Sequence, residues 1–297
     1  MEDRETAKER AAYWTYRGVE RAAMSLPESL GRPVFAAAGW LAFRTLGGVR
    51  RTVAANQAQV LGASPDSNLA QTAAREAFEL YARYWYDTFR IRTLSHDEMN
   101  ARTQMKGVEH IDKALDAGHG CIVALPHMGN WDVAGHWLAI NGYRIAAVAE
   151  ELRPRRLFEL FLRHRQELGM RILALAKGEN VGQQLARLLA NNWIVALVAD
   201  RDLSGRGVEV GMFGAMRKLP AGPALLSITT GAPLLVCPAY TLEKGWRVEI
   251  SEPIEFEPTG EKRNDVTALT RLLARAFERG IAARPVDWHM FQPAWGR

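Results

Sequence analysis

Five short apolar runs return at helix-sized intervals along the C-terminal two thirds of the chain: CIVALP (121–126), YRIAAVA (143–149), RILALA (171–176), WIVALVA (193–199) and LLVCPAY (234–240). Each is strand length and lacks the polar-apolar alternation of a strand with one wet face. Such runs belong to strands buried on both sides, which is the condition of a mostly parallel sheet covered by helices. WRVEISEPIEF (246–256) does alternate, as an edge strand should, and residues 265–281 read as a closing helix. An α/β core is therefore expected from about residue 105 onward.

The first 104 residues have a different texture. Residues 5–60 place apolar positions such as Tyr13, Tyr16, Val19 and Ala23 near helical spacing, with arginines between them and a break at SLPESLGRP (25–33). LGASPDSN (61–68) is a loop of turn formers, and AAREAFELYARYWYDTFRI is a further helix dense in aromatic residues. With no internal repeat, the 297 residues read as a single domain, 1–297: a mainly helical N-terminal portion packed on the α/β core. Aromatic residues beside basic ones also make up surface-seeking helices, so the N-terminal helices are expected either to pack on the core or to face a membrane.

The formal net charge of +5 favours anionic partners such as phosphate groups or acidic headgroups. The basic residues are dispersed and no nucleic-acid module is recognisable, so nucleic acid is not expected as a partner. The charged opening MEDRETAKERAAYW is no secretory signal, and PVFAAAGWLAF (33–43) falls short of the ~20 residues a bilayer span needs. Cys121 and Cys237 lie inside strand runs and are expected to be buried free thiols.

Chemistry concentrates where strands end. CIVALP runs into His127, YRIAAVA into Glu150, and WIVALVA into Asp200, with Arg201 and Asp202 beyond. In an open parallel sheet the carboxyl ends of the strands share one edge, where ligands bind. His127 also precedes Asp132 by five positions in PHMGNWD. A helix opening near Asn130 puts Asp132 in its first turn, from which the carboxylate is expected to fold back on one nitrogen of His127 and free the other as a base. Gly129 allows close approach to the backbone. Two other readings stand beside this one: a core histidine followed by a helix cap, and a metal sphere drawn from His127, Asp132, His136 and Asp200 or Asp202. No G-x-S-x-G, H-E-x-x-H, C-x-x-C, Walker or G-x-G-x-x-G pattern occurs. A base without an evident nucleophile points to direct transfer onto a hydroxyl.

H-x4-D at the end of a buried strand resembles the glycerolipid acyltransferase superfamily. PHMGNWDVAGHWL, VAEELRPRRLFELFLRHRQELG, VADRDLSGRGVEVGMFG and LPAGPALLSITTGAPLLVCPAY narrow the resemblance to the bacterial lipid A acyltransferase-like family. YARYWYDTFR and RPVDWHMFQPAW look like its subgroup acting on phosphatidylinositol mannosides. The resemblance implies transfer of a fatty acyl group from acyl-CoA to a sugar hydroxyl of that phosphoinositol glycolipid, at the cytoplasmic face of the inner membrane. Acyl-CoA is then a substrate, and neither a resident cofactor nor a metal is implied. It makes His127 the base and Asp132 its partner, with Glu150 and Arg165 as further site residues. Asp200 stands where the family carries glutamate. Arg165 is expected to shape the site between Glu150 and Asp200, with Arg201 beside it. Arg206, Arg217 and Lys218, in a glycine-rich basic segment, are expected either to bind phosphates or to form a solvated loop. A non-catalytic lipid or acyl-CoA binder on the same fold is the alternative of a different class.

Overall fold

The computed structural model describes residues 5–175, 180–202 and 204–295. Four helices open the chain: α1 (Ala7–Ser25), α2 (Glu28–Thr45), α3 (Gly47–Leu61) and α4 (Asn68–Arg90). The first begins at a capping box, in which Thr6 and Glu9 satisfy each other's free backbone N–H groups. Leu26 and Pro27 separate α1 from α2, while Pro33 sits inside α2 rather than ending it. Helices α2 and α4 lie close because Gly39 has no side chain. A Cβ there would stand 2.6 Å from the Phe78 carbonyl oxygen.

The remaining elements are α5 (His96–Arg102), β1 (Thr103–Lys106), α6 (Val108–Asp116), β2 (Cys121–Leu125), α7 (Trp131–Ile140), β3 (Ile145–Glu150), α8 (Arg155–Glu167) and β4 (Arg171–Leu175). They continue with α9 (Val181–Ala190), β5 (Ile194–Val198), β6 (Val208–Met212), β7 (Ala215–Leu219), α10 (Gly222–Thr230), β8 (Leu234–Val236), β9 (Ala239–Leu242), β10 (Gly245–Glu249) and α11 (Lys262–Ala283). The expected α/β class holds. A five-stranded, all-parallel sheet runs in the order β4-β3-β5-β2-β8, with helices on both faces. After β2 the chain steps outward to β3 and β4, then returns as β5 into the gap between β3 and β2.

Strand β2 shows why these runs lack polar breaks. Ile122 and Ala124 join the core cluster that holds Leu188, Leu273, Phe277 and Trp288. Cys121, Val123 and Leu125 join the opposite cluster, with Ile111, Val133 and Leu138. Each large side chain so buried contributes about 1.5–3 kcal/mol. Both cysteines are free and buried, and burial pushes each thiol up to about 12.

Three expectations change. LLVCPAY is not one strand: it divides at Pro238, whose missing N–H cannot serve a ladder, into β8 of the large sheet and β9 of a second sheet ordered β1-β10-β9. The alternating run after Trp246 supplies β10, which is not an edge: it lies between β1 and β9, and it ends at Glu249, with 250–256 irregular. The glycine-rich basic segment is an antiparallel hairpin, β6–β7, rather than a loop. Ala176 of the RILALA run and Leu203 of the segment after β5 lie outside the described residues.

Candidate active site

Strand β2 delivers His127 to the carboxyl edge of the large sheet. Gly129 makes the turn that follows with φ +55°, and a Cβ at this position would collide with the Ala239 carbonyl. Asn130 caps α7, its side-chain oxygen accepting from Val133 N–H at 3.1 Å. A C-terminal segment runs antiparallel alongside this turn. Gly129 N–H donates to the Asp287 carbonyl (2.9 Å), and His289 N–H donates to the His127 carbonyl (2.7 Å). Met128 and Trp288 form the bridge between these two contacts.

The carboxylate that meets His127 is Asp200, with Nδ1 to Oδ1 at 2.5 Å. The sheet register explains the pairing. Leu125 of β2 stands opposite Val198 of β5, so His127 and Asp200, each two residues further on, emerge as neighbours. Asp200 is fully buried, and its other carboxylate oxygen accepts the Trp288 indole N–H at 2.7 Å. Its main-chain carbonyl accepts from Arg217 Nη2 at 2.6 Å. Burial alone would raise this carboxyl. The charge and hydrogen bond of His127, the Trp288 bond and the Arg217 charge outweigh it and bring the pKa down to about 2. Because the carboxylate can only accept, His127 Nδ1 donates to it, which leaves Nε2 as the nitrogen that can act as a base.

Asp132 does not fold back on His127. It lies in the first turn of α7 as expected, but it is captured from two other helices: Tyr84 of α4 donates to Oδ2 (2.9 Å) and Arg165 of α8 donates to Oδ1 (2.9 Å). Burial raises its pKa, and the charge and hydrogen bond of Arg165 bring it below the usual carboxylate range. Arg165 accordingly bridges neither Glu150 nor Asp200. Glu150 is half exposed at the end of β3, with Arg201 Nη2 at 3.7 Å.

The three basic residues expected at phosphates diverge. Arg217 is buried, 5.5 Å from the Trp288 ring centre and 5.2 Å from that of Trp295, and faces Asp200 rather than solvent. Lys218 donates to the Gly205 carbonyl (2.9 Å), and Arg206 is exposed on the same turn. Asp202 closes that turn by accepting from the backbone N–H groups of Ser204 and Gly207. His136, considered as a metal ligand, is buried against the Leu168 carbonyl (3.0 Å), and among the described residues no three potential ligands gather.

A pocket of about 290 Å³ opens over His127. Its polar wall is Arg165, Arg201, His289 and Gln292, and its aromatic wall includes Tyr16 of α1, Tyr81 and Trp85 of α4, Trp131 of α7 and Phe161 of α8. Burial raises the phenols of Tyr16, Tyr81 and Tyr84, which therefore stay protonated. Burial likewise lowers His289 to about 3. This ring is neutral, and its Nε2–H donates to the Gly129 carbonyl at 3.0 Å. Tyr84, Trp288 and His289 had no assigned role in the sequence. The blocks YARYWYDTFR and RPVDWHMFQPAW contain them, but nothing in residue spacing tells that these blocks meet at His127.

A base held by a carboxylate at the edge of a parallel α/β sheet, under an aromatic pocket with two arginines, is suited to activating a hydroxyl. The chain belongs to the bacterial lipid A biosynthesis acyltransferase family, whose model matches residues 3–297. Among its relatives is a phosphatidylinositol mannoside acyltransferase of Mycolicibacterium smegmatis, 37% identical over 276 residues, covering 93% of this chain and 88% of the relative. A second, the phosphatidylinositol mannoside acyltransferase of Mycobacterium tuberculosis H37Rv, is 38% identical over 288 residues, covering 96% and 89%.

Proposed function

We propose that this protein transfers a long-chain fatty acyl group from acyl-CoA to a mannose hydroxyl of a phosphatidylinositol mannoside. The observation that carries the reading is the His127–Asp200 pair beneath the pocket. His127 Nε2 takes the proton of the acceptor hydroxyl while the hydroxyl oxygen attacks the thioester carbonyl. Asp200 fixes the tautomer and offsets the charge of the imidazolium that forms. Arg165 and Arg201 are the cations of the pocket wall, placed to meet the negative charge that develops on the carbonyl oxygen. Collapse of the tetrahedral centre breaks the carbon–sulfur bond, and the departing thiolate recovers the proton from His127. The thioester is already activated, so no acyl-enzyme and no resident cofactor are needed. Glu150, beside Arg201, is assigned to the acceptor sugar.

The pocket is at the small end of the ~300–1,000 Å³ usual for ligand sites. It suits one sugar ring and the reacting carbonyl, leaving the rest of the lipid outside. Helix α2 exposes Leu30, Val34, Trp40 and Leu41, and α1 exposes Trp14. No helix among the described residues is long and apolar enough to cross a membrane. Aromatic and aliphatic side chains beside arginines support peripheral attachment to an anionic surface, and we assign the protein to the cytoplasmic face of the inner membrane.

The test is thiol release from palmitoyl-CoA with and without phosphatidylinositol mannoside, for wild type and His127→Ala, with EDTA in parallel. Release is expected to depend on the acceptor, to ignore EDTA, and to fall by roughly 10²–10⁴-fold in the variant. Near-wild-type turnover by His127→Ala removes the base assignment. Acyl-CoA binding with no release, whatever the acceptor, makes the protein a binder instead.

A further inference from the structure

The C-terminal segment around Trp288 touches both members of the pair through separate contacts. Its backbone holds the turn that carries His127: His289 N–H donates to the His127 carbonyl, and the Asp287 carbonyl accepts from Gly129 N–H. The Trp288 indole N–H reaches the Asp200 carboxylate at 2.7 Å. Each Asp200 carboxylate oxygen has its own partner: Oδ2 accepts the Trp288 indole N–H, and with that bond in place Oδ1 faces His127 Nδ1. Trp288 itself cannot tilt. It is almost wholly buried, the Arg217 guanidinium lies over its ring at 5.5 Å, and Trp295 packs edge-on at 5.9 Å. Arg217 adds a third restraint by donating to the Asp200 main-chain carbonyl.

We infer that Trp288 is a positioning residue for the reaction: its indole N–H sets the rotamer of Asp200, and through it the tautomer and aim of His127. A residue that only fills the core would stabilise the fold without changing the state of the imidazole. The inference rests on the proposed role of His127 as base, and its test therefore needs a readout that does not require turnover.

Wild type, Trp288→Phe, Asp200→Asn and the double variant, labelled with ¹⁵N-histidine, are compared by imidazole N–H resonances and by kcat and KM. In wild type the His127 Nδ1–H, identified by its loss in His127→Ala, is expected far downfield and protected from exchange. Trp288→Phe is expected to move it upfield and expose it to exchange. The same change lowers kcat roughly 10-fold at unchanged KM, the usual worth of one hydrogen bond to a charged group. In the Asp200→Asn background it costs less than about 2-fold more, because the amide that Trp288 still holds there no longer accepts from His127 Nδ1. An unmoved resonance in Trp288→Phe, or the full kcat loss persisting in the Asp200→Asn background, overturns the inference. Should Trp288→Phe not fold, 3-benzothienylalanine in place of Trp288 removes the N–H at nearly constant shape and is read the same way. Wild type that shows the resonance and its shift, yet turns nothing over, overturns acyl transfer and leaves the positioning role standing.

Discussion

Two buried aspartates near one histidine are told apart by replacing each with asparagine. In Asp200→Asn the side-chain carbonyl keeps the Trp288 indole, whose N–H stands 2.7 Å from Oδ2. That leaves the amide NH₂ to face His127 Nδ1, which must now accept. The imidazole proton moves to Nε2, where the base is needed, and turnover is expected to fall on the order of 10³–10⁴-fold, as when the orienting carboxylate of a catalytic triad becomes an amide. Stability is expected to fall at neutral pH as well, because a carboxylate whose pKa is brought down to about 2 contributes on the order of 2 kcal/mol there. In Asp132→Asn the loss falls on stability and not on the His127 tautomer. The substitution leaves the Arg165 cation, now 2.9 Å from Asp132 Oδ1, without its counter-charge. The loss is about 3 kcal/mol, the low end for a broken buried pair because Arg165 keeps some contact with solvent. For a chain of this length that corresponds to a Tm lower by roughly 5 °C. Initial rates of thiol release at saturating acceptor, with melting curves on the same preparations, measure both quantities. Asp200→Asn within tenfold of wild type would refute the tautomer argument, and a larger kcat loss in Asp132→Asn at unchanged Tm would return the partner role to Asp132.

Asp287 gives a signed pH effect. Burial raises its carboxyl to about 6, against the Thr241 bond and the Arg284 charge that lower it. A raised acid contributes stability that is present below its unfolded pKa of ~3.9 and lost as pH rises through its folded value. The Tm of Asp287→Asn relative to wild type should therefore climb between about pH 4 and 6 and then level off, and a flat difference across that window contradicts the assignment. For the proposed membrane face, Leu30→Asp combined with Leu41→Asp is expected to abolish co-flotation with anionic vesicles while leaving the melting curve in place. Unchanged flotation would take α2 out of the contact.

The parallel sheet was legible because a strand buried on both faces has no polar residue to spend, and CIVALP and WIVALVA show this without ambiguity. The convergence of His127, Glu150 and Asp200 at one edge was legible from strand direction alone. What could not be read was which carboxylate meets the histidine. That depends on β5 lying beside β2 in the register that puts Val198 opposite Leu125, a pairing between residues far apart in the chain. The His-x4-Asp spacing drew attention to Asp132, yet its fate was decided by Tyr84 and Arg165, on helices that no local pattern places beside it. Arg217 misled for a related reason. A basic residue in a glycine-rich stretch looks solvated until the hairpin folds it between two tryptophans from the C-terminal region.

The return of β5 between β3 and β2 separates two kinds of evolutionary freedom. The proposed reacting pair follows two adjacent inner strands, whereas the excursion through β3, α8 and β4 contributes Leu152 and Phe161 to the pocket lining. Lengthening or reshaping that excursion leaves the distance from His127 to Asp200 untouched, provided Arg165 still reaches Asp132. Acceptor preference can thus drift, or be redesigned by grafting the β3–β4 excursion of one relative onto another, without rebuilding the proton-transfer machinery.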